Sequence, residues 1–297
     1  MAAPAAETLA EDAVAVAAAA LGRLGAEIQG RLWLAPRAAC DIAIADLDAD
    51  QADAAARLAI AERWPGAAID LVAQPAEGRR KRLLVADMES TIIGNEMLDE
   101  LAELRGLREH VAAITRRAMN DEIDFAAALR ERVALLRDLP EAVLEETAAR
   151  IRVTPGAAAL VATMRRHGVQ AVLVSGGFRV YSGRVRAALG FDLDIANELL
   201  VAEGRLTGQV KEPILGRDAK LAALKRIAAE QGLPLAATLA VGDGANDLGM
   251  IGAAGLGIAF HAKPAVAARA RSRIDHGDLT TLLYAQGYRA EEIVREA

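Results

Sequence analysis

Residues 84–91 read Leu-Val-Ala-Asp-Met-Glu-Ser-Thr, an apolar run that opens onto two carboxylates and two hydroxyls. Open α/β sheets bind ligands just beyond the carboxyl ends of their strands. Asp87, Glu89, Ser90 and Thr91 therefore stand where a reaction site belongs. Two later apolar runs also end in polar clusters, Ser175-Gly176-Gly177 and Gly242-Asp243-Gly244-Ala245-Asn246-Asp247, and Lys220 opens a helical stretch between them. Taken singly, each has a plainer reading. Lys220 alone is an exposed lysine at a helix start, Ser175-Gly176-Gly177 a turn, and Gly242-Asp243-Gly244 a tight bend, because Gly and Asp favour turns for backbone reasons.

Taken together, they suit phosphoryl transfer. Four carboxylates in one pocket repel unless a cation neutralises them, and hard oxygen donors without histidines suit magnesium. Such a cation removes the repulsion between an anionic Asp and an anionic phosphate. Asp is already ionised at neutral pH and attacks without a base to activate it, giving an aspartyl-phosphate. A second carboxyl protonates the leaving oxygen and later takes a proton from water. A hydroxyl, glycine amides and a lysine hold the phosphoryl oxygens.

The composition narrows the setting. The 297 residues are 53% hydrophobic, with much of that share in alanine, which favours closely packed helices and ample core. A net charge of −6 disfavours nucleic acid, whose phosphates are bound by clustered Lys and Arg. The one dense basic run, Gly78-Arg79-Arg80-Lys81-Arg82, reads better as a linker than as a binding patch. Cys40 is the single cysteine, so no intrachain disulfide and no cysteine metal cluster forms. The four histidines show no ligand spacing, and Gly255-Leu256-Gly257 lacks the third glycine of a dinucleotide fingerprint. The opening residues carry neither the basic nor the apolar stretch of a secretion signal, and no apolar run is long enough for a membrane span. The expectation is a soluble, cytoplasmic protein.

These residues need a scaffold, and the patterning supplies one. A Pro/Gly-containing bridge at residues 74–78 separates two blocks. The first, residues 1–76, reads helix (11–24), strand (27–34), strand (40–45), helix (49–62), strand (68–72), a small α+β, ferredoxin-like domain for regulation or dimerisation. The second, residues 80–297, alternates strands with helices, which predicts a Rossmann-like, mainly parallel sheet. Its strands are expected at 82–86, 170–174, 237–241 and 256–260, with a hairpin of 195–202 and 205–210 around Glu203-Gly204. A wholly helical stretch at about 95–150 is expected to cap the strand ends.

The ordered set Asp87-Met88-Glu89-Ser90-Thr91, Ser175-Gly176-Gly177, Lys220 and Gly242-Asp243-Gly244-Ala245-Asn246-Asp247 resembles the four motifs of the haloacid dehalogenase superfamily. From about residue 81 to 286 the chain resembles, more narrowly, the branch that hydrolyses O-phospho-L-serine. That narrower likeness rests on Asn95-Glu96, Ala118-Met119, Asp124-Phe125, Leu129-Arg130-Glu131-Arg132-Val133, Ala196-Asn197-Glu198 and His261-Ala262-Lys263-Pro264. The first block resembles the amino-acid-binding-type domain of many bacterial members, without that domain's first strand. The resemblance implies Asp87 as nucleophile and magnesium ligand, with Glu89 as acid/base and a backbone metal contact. It implies Ser175, Gly176 and Lys220 as phosphate holders, and Asp243 with Asp247 completing the metal site. Glu96 would meet the substrate ammonium and Arg132 its carboxylate, while Met119, Phe125, Gly177 and Asn246 shape the pocket. Independently, an amino acid needs one buried anion and one buried cation, and Arg offers a carboxylate a bidentate fork. One position departs, since the family places Asp where this chain has Glu89. The alternatives are a phosphotransferase or phosphomonoesterase acting on another small ester, and a non-catalytic amino-acid sensor.

Overall fold

The computed structural model describes residues 1–4, 9–119, 122–216 and 218–295, with the side chain of Met119 outside that set. In the first block, α1 (Glu11–Arg23) and α2 (Ala49–Arg63) bury their alanine faces over β1 (Glu27–Ala35) and β2 (Ala39–Ala45), which pair antiparallel. The Asp48 side chain accepts from Gln51 N at 2.9 Å, which fixes where α2 starts.

The expected strand at 68–72 is reduced to a single bridge, Asp70 to Ala2, and Ala2 also bridges Ala39. Residues 1–3 thus lie between β2 and the segment around Asp70, in the place of the first strand that the sequence reading found lacking. The spatial order, Asp70 segment, residues 1–3, β2, β1, is ferredoxin-like.

In the second block, β3 (Leu83–Ala86) is wholly buried. After it come α3 (Met97–Leu104), α4 (Arg108–Met119), α5 (Phe125–Ala134) and α6 (Ala142–Ala148), the expected helical insertion, followed by α7 (Ala157–Arg166). The chain continues through β4 (Gln170–Phe178), α8 (Arg179–Leu189), β5 (Leu193–Asn197) and the hairpin β6 (Leu199–Ala202) with β7 (Arg205–Val210). It closes with α9 (Ala219–Glu230), β8 (Thr238–Gly242), α10 (Leu248–Ala253), β9 (Leu256–Phe260), α11 (Pro264–Ala267), β10 (Ser272–Ile274) and α12 (Thr281–Ala285).

The main sheet has the order β10-β9-β8-β3-β4-β5, every pair parallel. From β3 the chain winds to β4 and β5 on one side and to β8, β9 and β10 on the other. The strand order therefore reverses beside β3, the place where such sheets open a crevice. The register sets Ala86 level with both Leu173 and Val241, so Asp87 emerges between the ends of β4 and β8.

Three details differ from the sequence reading. β4 runs on to Phe178, so Ser175-Gly176-Gly177 is strand end and not turn. The expected strand 195–202 is split, its first part joining the parallel sheet as β5 and its second the hairpin. The break follows Asn197, whose side chain is spent on neighbouring backbone. Helices α8, α10, α11 and α12 and the last strand, β10, are additional to the expected elements. The basic run is internal cement, as a linker should be. Arg79 pairs with Asp41 at 2.7 and 3.0 Å, Arg80 with Glu292 at 2.8 Å, and Lys81 donates to the carbonyls of Gly78 and Ala236.

Candidate active site

The strand ends gather the residues that the sequence scattered over 160 positions. Asp87 leaves β3 with its N–H on Val241 O, and its Oδ1 accepts from Met88 N at 2.7 Å. Lys220, in the first turn of α9, reaches Asp87 Oδ1 at 2.7 Å and Asp247 Oδ1 at 2.5 Å. It is 3% exposed, so the plain reading of Lys220 as a surface lysine is wrong. A buried lysine beside two carboxylates stands there for its charge.

Asp247 Oδ2 accepts from Gly244 N, and a Cβ at Gly242 would lie 2.3 Å from the Asp247 carboxyl carbon, so only glycine fits there. A Cβ at Gly244 would lie equally close to Asn246 Oδ1, which places Asn246 over the same turn. The bend is tight, as its sequence suggested, and it also points two carboxylates at Asp87. Carboxylate oxygens of Asp87, Asp243 and Asp247 lie within 4.8 Å of one another.

One ammonium cannot neutralise three carboxylates. Two like charges about 4 Å apart repel by roughly 4 kcal/mol at an effective dielectric of about 20. Burial raises Asp87 well above the ordinary carboxylate range, with Asp247 and Asp243 adding to the rise and Lys220 opposing it. Burial, then Asp247 and Glu96, raises Asp243 to about 6. Burial alone would lower Lys220, but Asp87 and Asp247 overcome it and hold the ammonium charged. The uncompensated negative charge and all-oxygen donor set fit a hard divalent cation.

On the other flank, Glu89 Oε1 accepts from Met97 N at 2.9 Å, at the start of α3, and a Cβ on Gly177 would fall 2.7 Å from Glu89 Oε2. The longer side chain of Glu therefore spans from the end of β4 to the first residue of the helical insertion. Burial, then the charge of Glu96, pushes its carboxyl up to about 8. Ser175 is 2% exposed and its Oγ accepts from Gly177 N at 2.9 Å. Gly176 faces Phe125, whose ring edge would lie 3.3 Å from an added Cβ.

Glu96 accepts from Ser90 Oγ at 2.7 Å, and burial raises its carboxyl despite that bond, with Asp99 adding to the rise. Arg132, on α5, donates to Ala128 O at 3.2 Å. Burial lowers its guanidinium while Asp99, Glu89 and Glu96 oppose the shift. Glu96 and Arg132, both from the insertion, thus act on Glu89 with opposite charge. Met119 ends α4, and its side chain lies outside the described residues.

Three residues named from the sequence without a specific task support the site. Ser90 holds Glu96 from a left-handed backbone, φ +55. Thr91 Oγ1 lies 3.4 Å from Asp243 Oδ1. Asn197 donates to Gly176 O at 2.8 Å and accepts from Leu215 N at 2.8 Å, clamping the end of β4. A lone Asn at a strand end was the available signal for the last.

Residues 84–251 match the haloacid dehalogenase-like hydrolase family. The chain is 39% identical over 287 residues to the phosphoserine phosphatase of Streptomyces coelicolor, covering 96% of this chain and 70% of that one. It is 44% identical over 215 residues to the phosphoserine phosphatase of Mycobacterium tuberculosis, covering 72% of this chain and spanning 53% of that relative. Among solved structures, a phospho-aspartyl intermediate analogue of phosphoserine phosphatase superposes with a TM-score of 0.64 at 41% identity, over 69% of this chain and 98% of that one. A haloacid dehalogenase family hydrolase from Salmonella enterica serovar Typhi superposes with a TM-score of 0.82 at 26% identity, over 94% of this chain and 96% of that one, so its likeness extends to the first block. The chain belongs to the haloacid dehalogenase-like hydrolases and, within them, to the phosphoserine phosphatase family.

Proposed function

We propose that this chain hydrolyses O-phospho-L-serine to L-serine and phosphate through an aspartyl-phosphate, the final step of phosphorylated serine biosynthesis. The observation that supports the substrate is that Glu96 and Arg132, of opposite charge, both lie within electrostatic reach of Glu89. An amino acid presents an ammonium and a carboxylate at fixed separation, and these two side chains offer each its counter-charge. Phe125 supplies an apolar wall where it meets Gly176.

Asp87 is the nucleophile. Its oxygen forms a bond to phosphorus as the bond from phosphorus to the serine oxygen breaks. Glu89 delivers its proton to that leaving oxygen, which its carboxyl near 8 equips it to do at neutral pH. Glu89 then takes a proton from water, the water oxygen attacks phosphorus, and the bond to Asp87 breaks. Ser175, Gly176 and Lys220 hold the phosphoryl oxygens, while Gly177 and Asn246 keep the space around them. Magnesium is the cation we assign to Asp87, Asp243, Asp247 and the Glu89 backbone, and when bound it supplies charge neutralisation for two approaching anions.

The first block is read as a regulatory or dimerising domain, residues 1–76, beside a catalytic domain, residues 80–297, capped at about 95–150. The outer edge of β1 has no strand partner among the described residues, which supports a homodimer through that block. A cytoplasmic location is part of the same proposal.

The test is phosphate release from O-phospho-L-serine with magnesium, against EDTA and against Asp87→Asn. Release that both controls abolish, and that exceeds release from other phosphomonoesters, is the expected result. Binding of serine by folded protein without any release would favour a non-catalytic sensor, and transfer to an added alcohol in competition with water a phosphotransferase.

A further inference from the structure

Asp70 belongs to the first block, yet its carboxylate is spent entirely on the second. It is 2% exposed. Oδ1 accepts from Asp275 N at 2.7 Å and His276 N at 3.2 Å, and Oδ2 from Gly277 N at 2.7 Å. Successive backbone N–H groups converging on one anion form a nest, a rigid way to hold a loop. Gly277 is packed so closely that a Cβ would meet Thr281 Oγ1 and lie 3.0 Å from Asp70 Oδ2.

The loop held by Asp70 touches both flanks of the active site. Toward β9, the Gly277 carbonyl accepts from His261 Nε2 at 2.7 Å, and His261 N donates to Ile274 O at 2.8 Å. His261 has φ +44, a backbone state unfavourable for a residue with a side chain, and its ring stacks on Phe260. The register pairs Gly242 with Ala259, so this turn lies just past the level of Asp243. Toward β3, Leu279 N donates to Pro155 O at 3.1 Å, and a Cβ on Gly156 would fall 2.5 Å from Thr280 N. Thr154 N in turn donates to Ile92 O at 3.0 Å, in the loop that carries Asp87 and Glu89.

We infer that Asp70 and His261 are positioning residues for the hydrolysis, through which the first block sets the geometry of the Asp87 and Asp243 strand ends. This rests on the phosphomonoesterase reading above but not on the choice of substrate. Neither residue touches the reacting atoms. A displacement of about 1 Å at a reacting centre costs up to roughly a hundredfold in rate, and loosening one support of two flanks costs less.

The experiment compares Asp70→Asn, His261→Ala and the double variant, assayed where circular dichroism shows each fully folded. Substrates are O-phospho-L-serine and p-nitrophenyl phosphate. Each single variant is expected to lower kcat about tenfold on both substrates with KM little changed, because the reacting centre moves and not the amino-acid pocket. The double variant is expected to lose no more than the worse single one, since both break one connection. A folded single variant with wild-type kcat overturns the inference, and so do losses that multiply. If Asp70→Asn does not fold, exposed His261 carries the test alone, with faster amide exchange at residues 92–94 as the second expected sign and unchanged exchange there as the contrary one. Wild-type protein that cleaves p-nitrophenyl phosphate but not phosphoserine would refute the substrate reading and leave this test intact.

Discussion

Glu89 is the residue on which the proposed chemistry turns. Where the family has Asp, the extra methylene carries the carboxyl to Met97 N and presses it against Gly177. Glu89→Gln keeps the size and loses the proton, and general acid–base contributions of about a hundredfold or more set the expected loss in phosphate release. Glu89→Asp is expected to stay within about tenfold of wild type, since a carboxyl remains near the leaving oxygen. A Gln variant as active as wild type would refute the acid/base role. The sign of the pH dependence follows from the carboxyl near 8. Protonated Glu89 persists to about that pH, so kcat falls above it in wild type and not through this group in the Gln variant. The same raised value means that the folded state binds the proton more tightly than the unfolded one. Its contribution to stability is full below the ordinary carboxyl value of 4.5 and is lost as pH rises through about 8. Gly177→Ala should damage wild type severely and the Glu89→Asp background less, because the shorter acid vacates the space that the new methyl needs.

Among the elements, α5 is the one that would meet the carboxylate of the proposed substrate. Its start is fixed by Asp124, whose side chain accepts from Ala127 N at 2.7 Å, and it carries both Phe125 and Arg132. Losing such a cap costs about 1 kcal/mol of helix stability. Asp124→Ala is therefore expected to raise KM for phosphoserine several-fold with little change in kcat, in contrast to the Asp70 and His261 variants. Steady-state kinetics separates the two patterns, and a fall in kcat alone would show that α5 does more than bind. The end of β4 is held in a comparable way by Asn197, which explains why the expected long strand at 195–202 breaks where it does.

For the whole molecule, the controlling quantity is the negative charge collected at the sheet's switch point. Asp87 and Asp243 are both raised, Asp243 to about 6, and carboxylates must give up their protons to bind a cation. The sign is that of a raised acid, so its stabilising contribution fades as pH rises through about 6. Added magnesium should restore stability there and compete with protons below it. The expected outcome is a larger rise in Tm on adding magnesium at pH 7.5 than at pH 5.5, read by calorimetry on EDTA-treated protein. An equal rise at both pH values would remove these carboxylates from the metal site. The docked first block belongs to the same scale. Arg79 joins Asp41 to the carbonyls of Tyr284 and Ala285, Gln74 reaches the Ala285 carbonyl, and Asp70 holds the loop 275–277.

The sequence by itself determined the parallel sheet, the helical insertion and where the candidate site would gather, because buried strands leave continuous apolar runs and strand ends leave polar clusters. Asp87, Lys220 and Asp243 were legible for that reason, each at a predictable end of an element. The burial of Lys220 was not, since a single lysine in a helix's first turn carries no mark of it. Only the tertiary structure decided that Ser175-Gly176-Gly177 continues β4, that Glu89 reaches α3, and that Asp70 supports the site from another block. Each of these depends on which backbone groups are left without a partner once the strands have paired, and periodicity along the chain does not record that.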